Sequence, residues 1–193
     1  MRVVPASAYR RMPWKNGGGE TVEIAVFPEK ASLGDFDWRV SMATVASDGP
    51  FSSFPGIDRT LSILQGKGMR LMIEGREPVL MTGETAPLPF PADVATSATL
   101  VDGPIVDLNV MTRRGKLAHS VQRLAIDHPH RAESLGGTTL LLCHGGAVRL
   151  TAGETTADLA AGDTAVLTGA TAVTIEPAAS AVLFLITIDK PAA

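Results

Sequence analysis

Along this chain the apolar residues come in short runs rich in Leu, Val, Ile and Thr, such as Leu61-Ser-Ile-Leu64, Ile105-Val-Asp-Leu-Asn-Val-Met111, Leu140-Leu-Leu-Cys143 and Val182-Leu-Phe-Leu-Ile-Thr-Ile188. Gly, Pro and Asp interrupt these runs at close spacing, and no long segment sustains the apolar period of about 3.6 residues that marks an amphipathic helix. Around residue 40 the pattern alternates. Phe36, Trp38, Val40 and Met42 fall on one face of an extended strand, and Asp37, Arg39, Ser41 and Ala43 on the other. The pattern predicts an all-β chain of antiparallel strands.

The chain also resembles itself. Residues 61–88 align without a gap on residues 140–167, an offset of 79, with nine identities in 28 positions that include the turn glycines. Chance supplies only about two at ordinary residue frequencies. Further on, Ile105–Met111 matches Val182–Ile188 at an offset of 77, which sets Asn109 opposite Ile186. Residues 117–126 are the best helix candidate, yet the repeat places them opposite the strand-like segment 38–47, so a strand is predicted there. Two all-β copies of this size predict two small antiparallel barrels or jelly rolls, divided as 1–115 and 116–193.

Composition narrows the partners. In 193 residues the charged fraction is 19% and the net charge is −3, so the concentrated basic field needed for sequence-independent nucleic-acid binding is absent. No apolar stretch reaches the length of a membrane span, and the first residues lack the basic-then-apolar layout of a secretory signal. A soluble cytoplasmic protein is expected. The single cysteine, Cys143, lies in an apolar run and reads as a buried, inert thiol.

Candidate chemistry concentrates in the first copy. Trp14-Lys15-Asn16-Gly17-Gly18-Gly19 places an aromatic, a cation and an amide beside three glycines, a combination suited to a small polar or anionic molecule, although consecutive glycines also mark ordinary turns. It has no counterpart ahead of the second copy. A turn required by the fold would be expected twice, so the segment reads as a lid or rim on one pocket. Arg39 points either into the barrel or into solvent, and the general preference of arginine favours solvent. Asn109 interrupts an apolar strand and either bonds a neighbouring loop or faces a ligand. Arg59 and Arg113 flank strand ends, where a guanidinium can clasp a carboxylate through two parallel hydrogen bonds, although Asp58 offers Arg59 a structural partner. His128-Pro129-His130 with Glu133 superficially resembles a metal-ligand set, but a proline inside it breaks strand pairing and the cluster reads as loop. No metal and no cofactor are expected, and no nucleophile motif occurs.

The Gly-x-x-x-Arg-Leu hairpin followed by a Gly-Glu/Asp-Thr turn and an apolar strand resembles the cupin fold, and two copies resemble a bicupin. More narrowly, Trp14–Ile24, Phe36–Ser41, Asp48–Thr60 and Asp107–Gly115 resemble the HutD/Ves family. The resemblance covers most of residues 9–115. It implies a bicupin associated with histidine-utilisation genes that binds formylglutamate or a related intermediate and governs the pathway. On this basis Arg39, Arg59 or Arg113 engages carboxylates, Asn16 and Asn109 read an amide or formyl group, and Lys15 with Gly17, Gly18 and Gly19 closes the mouth. The second copy then serves as a packing or homodimerisation partner. Two alternatives stand beside this reading: a metal-independent hydrolase, isomerase or lyase with Glu23 or Asp58 as general base, and a regulatory protein whose surface recruits a partner.

Overall fold

The structure is a computed structural model that describes residues 1–14, 19–133 and 135–191. Among the described residues the regular elements are strands apart from one 3₁₀ turn at Ala6–Ala8, and antiparallel pairing builds the sheets of both units. Residues 118–126 form the predicted strand. The chain divides into two compact units, Arg10–Ala118 and a second made of Met1–Tyr9 with His119–Ala193.

In the unit Arg10–Ala118, a six-stranded sheet runs in the order Arg10–Pro13, Gly19–Phe27, Trp38–Val45, Ile105–Arg113, Ile57–Gln65, Leu88–Pro91. A four-stranded sheet of Gly49–Pro50, Thr96–Leu100, Met69–Ile73 and Val79–Met81 packs against it. The core between them joins Ala43, Val45, Leu61, Ile63 and Ile105 of the first sheet to Met69, Leu71, Ile73, Met81 and Ala98 of the second. Strand alternation explains the selection, since these are the residues that point into the unit. Toward one end the apolar filling continues with Phe36, Ile57, Ala92 and Met111.

The other unit repeats the plan. Arg2–Val4, Thr164–Thr168, Thr138–Gly145, Ala181–Asp189 and Ala118–Ile126 form one sheet, and His130–Glu133, Ala172–Pro177, Val148–Ala152 and Thr155–Leu159 the other. Its core holds Leu141, Cys143, Leu150, Leu167, Ile175, Leu183 and Leu185, among others. Cys143 is free and fully buried, and burial raises its thiol pKa. The first nine residues belong here because Arg2–Val4 pairs with Thr164–Val166. Tyr9 secures them by donating to the Gly162 carbonyl at 2.6 Å, with Thr164 Oγ1 at 2.7 Å, and its burial pushes the phenol pKa up to about 12.

The hairpins show where the two copies lose register. Gly66 (φ +92°) and Gly146 (φ +84°) occupy the same place, each backed by a backbone carbonyl, Pro104 or Ser180, that a Cβ would crowd. This equivalence sets an offset of 80, whereas Met69 and Val148, the first residues of the next strands, are 79 apart. The second hairpin is one residue shorter. A one-residue slip transfers side chains to the opposite face of a strand, and the sheet register replaces the sequence pairing accordingly. Asn109 pairs with Leu61 and Leu185 with Leu141, so the counterpart of Asn109 is Leu185 instead of Ile186. By the same register Asp107 corresponds to Leu183 and Arg59 to Thr139.

Among the described residues no helix is long and apolar enough to cross a membrane.

Candidate functional site

Polar side chains collect inside the Arg10–Ala118 unit because four adjacent strands present them at matching register. Across the six-stranded sheet, Glu23, Ser41, Asn109 and Leu61 lie in one row of paired residues. Arg39, Met111, Arg59 and Phe90 form the row on one side of it, and Thr21, Ala43, Asp107 and Ile63 the row on the other. Ala43, Leu61, Ile63 and Phe90 belong to the unit's core, so the polar members of these rows share its interior face. Arg39 is 5% exposed, Arg59 4% and Asp107 0%. The solvent-facing reading of Arg39 is therefore corrected: the face bearing Ala43 and Val45 is the core face, and Arg39 lies along it.

A buried charge needs a partner, and Arg39 has one. Its Nε donates to Glu23 Oε2 at 2.7 Å, and Nη1 donates to Ser41 Oγ at 3.3 Å. Arg59 is held differently. Its guanidinium carbon lies 5.4 Å from the ring centres of Phe51 and Phe54 and 5.7 Å from that of Phe90, an aromatic enclosure for a cation. Nη2 donates to the Ser52 carbonyl at 3.2 Å, while Nε is buried with no partner among the described residues. Burial lowers the Arg59 pKa to about 10, against the attraction of Asp107, so the group stays cationic at neutral pH.

Asp107 completes the cluster. Its Oδ1 accepts from Asn109 Nδ2 at 2.6 Å, whereas Oδ2 is buried without a partner among the described residues. Burial lifts the carboxyl to about 7, opposed by the Arg59 charge, the Asn109 bond and a backbone hydrogen bond from Ala43. Four side-chain atoms among the described residues are buried and unpartnered, and one donor and one acceptor of these belong to this interior; the others are the hydroxyls of Ser62 and Thr139. Such orphans are rare because each carries a desolvation cost of about 1–3 kcal/mol. Here they are a cation's donor and a carboxyl oxygen, the chemistry that receives a small polar acid.

The remaining sequence candidates separate. Lys15, Asn16, Gly17 and Gly18 lie outside the described residues. Gly19 opens a strand opposite Val45, where a Cβ would collide with the Thr44 carbonyl oxygen, so the backbone approach alone requires glycine. Trp14 packs against the core and donates from Nε1 to Thr21 Oγ1 at 2.8 Å. Arg113 binds the carbonyls of Phe36 at 2.8 Å and Gly34 at 3.1 Å and approaches Asp37, itself paired with Lys116. This guanidinium fastens backbone. Arg113→Ala is expected to lower stability by about 1–2 kcal/mol in urea titration while leaving carboxylate affinity unchanged. Asp58 is part-exposed and paired with Arg114, which also holds Asp93. His128 bonds Asp127 at the surface, and Glu133 bonds Arg131. Among the described residues, no three His, Cys, Asp or Glu side chains converge as a metal site.

Sequence reasoning passed over Asp107. The signal was present, since Asp107 and Asn109 stand at i and i+2 in an apolar strand and must share a face. The equivalent interior positions of the second unit are Leu183 and Leu185, which fill its core. The polar interior is a property of one copy.

The comparisons with known proteins agree on a family. Protein Ves of Citrobacter koseri is 41% identical over 118 residues, 58% of this chain and 60% of that protein. An uncharacterized 21.2 kDa protein from the hutC 3′ region of Pseudomonas putida is 39% identical over 113 residues, 58% of this chain and 57% of that protein. The chain therefore spans less than two thirds of the length of the curated relatives it matches. Among solved structures, a conserved protein of unknown function from Pseudomonas aeruginosa superposes with a TM-score of 0.91 at 31% identity, covering 97% of this chain and 98% of that one. HutD from Pseudomonas fluorescens SBW25, determined in a formate condition, gives 0.83 at 30% identity, with 99% of each chain covered. A cupin 2 conserved barrel domain protein from Leptotrichia buccalis, at 12% identity and a TM-score of 0.58 over 87% of this chain and 88% of that one, shares the fold alone. A family model described as HutD matches residues 6–185, from the 3₁₀ turn into the last strand, and on that extent the chain belongs to the HutD family.

Proposed function

We propose that this protein is a cytoplasmic binding protein for a small carboxylate, N-formylglutamate or another intermediate of histidine degradation, and that it modulates histidine utilisation by holding that molecule. The observation that carries the reading is the Arg59 guanidinium: buried, enclosed by three aromatic rings and left with an Nε that has no partner among the described residues. An anion meeting Nε supplies the missing acceptor and a counter-charge together, a gain that neutral molecules do not offer. Asn109 lies in the neighbouring row and offers its amide beside Asp107. The pathway assignment draws on family membership and on the Pseudomonas putida relative from the hutC 3′ region. A buried free Cys143 suits a reducing compartment.

Calorimetric titration with N-formylglutamate, urocanate and glutamate tests this. Saturable binding of at least one is expected, weakened about 100-fold in Arg59→Gln, consistent with losing a buried charge-assisted contact. Absence of saturable heat from all three would refute the carboxylate assignment.

An enzyme is the second reading, favoured by one observation. The Asp107 carboxyl, lifted to about 7, lies in the range of a general base working at neutral pH. Glu23 is committed to Arg39 and Asp58 to Arg114, which leaves Asp107 as the acid–base candidate. Product release from N-formylglutamate, lost in Asp107→Asn, would establish turnover.

A further inference from the structure

We infer that Asp107 is the specificity-determining, proton-carrying residue of this interior: it meets the ligand as a neutral carboxylic acid, so that each carboxylate enters the site together with one proton. This rests on the carboxylate-binding reading and adds to it the protonation state in which the site accepts an anion.

Charge balance carries the inference. The charged groups that share the interior face of the sheet with Asp107 are Arg59 of Ile57–Gln65, Arg39 of Trp38–Val45 and Glu23 of Gly19–Phe27, with Asn109 on its own strand. The opposite sheet brings Met69, Leu71, Ile73, Met81 and Ala98 to the same core, with the hydroxyl of Thr96 on the face of Ala98, and among the described residues none of its buried side chains is charged. With Asp107 ionised, two arginines and two carboxylates sum to zero, and an arriving anion leaves the buried cluster at −1. With Asp107 protonated the cluster is +1, and the same anion brings it to zero. Uncompensated charge in an apolar interior is costly, so the neutral complex is favoured.

The unpartnered oxygen fits the same state. Asp107 Oδ1 is already bonded by Asn109, and Oδ2 is buried with no donor to meet it among the described residues. An ionised Oδ2 facing a ligand carboxylate is repelled. A protonated Oδ2 donates to it, adding an O–H to the donor that the Arg59 Nε–H supplies. The position of the Asp107 titration, near neutrality in the ligand-free protein, keeps that proton exchangeable under ordinary conditions.

Formate is the probe, chosen as the smallest carboxylate. Titration at pH 8 in phosphate and in Tris, two buffers of different ionisation enthalpy, is expected to reveal uptake of close to one proton per formate bound. Uptake falls toward zero at pH 6, where Asp107 is already protonated. Correspondingly, affinity should be flat near pH 6 and fall about tenfold per unit above pH 7. In D107N that pH dependence and the uptake should both vanish. Carbon-13 NMR of aspartate carboxyls in the wild-type protein gives a second readout that needs no variant. One carboxyl should titrate near neutral pH, and its midpoint should move upward when formate saturates the protein. Formate binding without proton uptake would overturn this inference and leave the binding reading standing. Uptake that persists in D107N, or aspartate midpoints that all stay in place on saturation, would overturn it in the same way. Failure of formate, N-formylglutamate, urocanate and glutamate to bind at pH 6 would overturn both.

Discussion

Replacing Arg39 by methionine should lower the unfolding free energy by about 3–5 kcal/mol, and replacing Glu23 by leucine should cost a similar amount. The pair lies inside the Arg10–Ala118 unit with side chains 6% and 10% exposed and N–O contact at 2.7 Å. Removing either partner leaves the other charge in a space built for a pair. Ser41 offers Arg39 only a 3.3 Å contact, and Arg10 reaches Glu23 from the surface at 4.0 Å, so neither replaces the missing charge. Replacing both removes both charges at once. The double variant should therefore recover most of the loss, since an apolar pair of similar volume is often as stable as the ions it replaces. Urea titrations of the four proteins form the cycle, with unchanged m values showing that the same surface unfolds in each. Losses that simply add in the double variant would show that the pair is uncoupled.

The legible part of this fold was its periodicity. Strand alternation placed Arg39 and Ser41 on one face and Trp38 and Val40 on the other, and that grouping holds within the Trp38–Val45 strand, whereas Phe36, ahead of the strand, packs with Ile57 and Met111 on the face that carries Arg39. What the alternation cannot say is which face is interior when both faces are buried, as in the Trp38–Val45 strand, where Arg39 and Val40 are both buried. The repeat was also readable, but only to within one residue. Ungapped alignment slid over the shortened second hairpin, and the separate match of 105–111 to 182–188 was also one residue out, setting Asn109 against Ile186 when the sheet sets it against Leu185. Identity counts are insensitive to such a slip because Leu, Ile and Val recur on both faces of these strands. Among the site candidates, Arg59, Arg39 and Asn109 come together, whereas Arg113 resembled them in sequence and serves the backbone. An arginine near a strand end carries no mark of which carbonyls lie within reach. Asp107 was missed for the opposite reason. A lone aspartate is a common turn residue, and only its full burial beside Asn109 and the charge of Arg59 makes it unusual.

Asp107 also predicts the stability of the ligand-free protein against pH. Its carboxyl rises from 3.8 to about 7 on folding, chiefly through burial. Between about pH 4 and pH 7 the folded protein therefore holds a proton that the unfolded chain has released, and stability falls as pH rises through that window. At about 1.36 kcal/mol per pKa unit the full displacement corresponds to about 4 kcal/mol, with about 2–4 kcal/mol the expected range. Asn in place of Asp107 keeps the shape and lets its amide oxygen accept from Asn109, but it carries no charge. Asp107→Asn should then match the wild type near pH 4 and exceed it by about 2–4 kcal/mol at pH 8. Urea midpoints measured from pH 4 to pH 8 give the comparison directly. If the variant is instead less stable at pH 8, the Arg59 attraction outweighs the cost of burying the carboxylate and the folded-state titration lies below its unfolded value. The reversed sign would remove the neutral acid at Asp107 and, with it, the reason for the site to take up a proton with its anion.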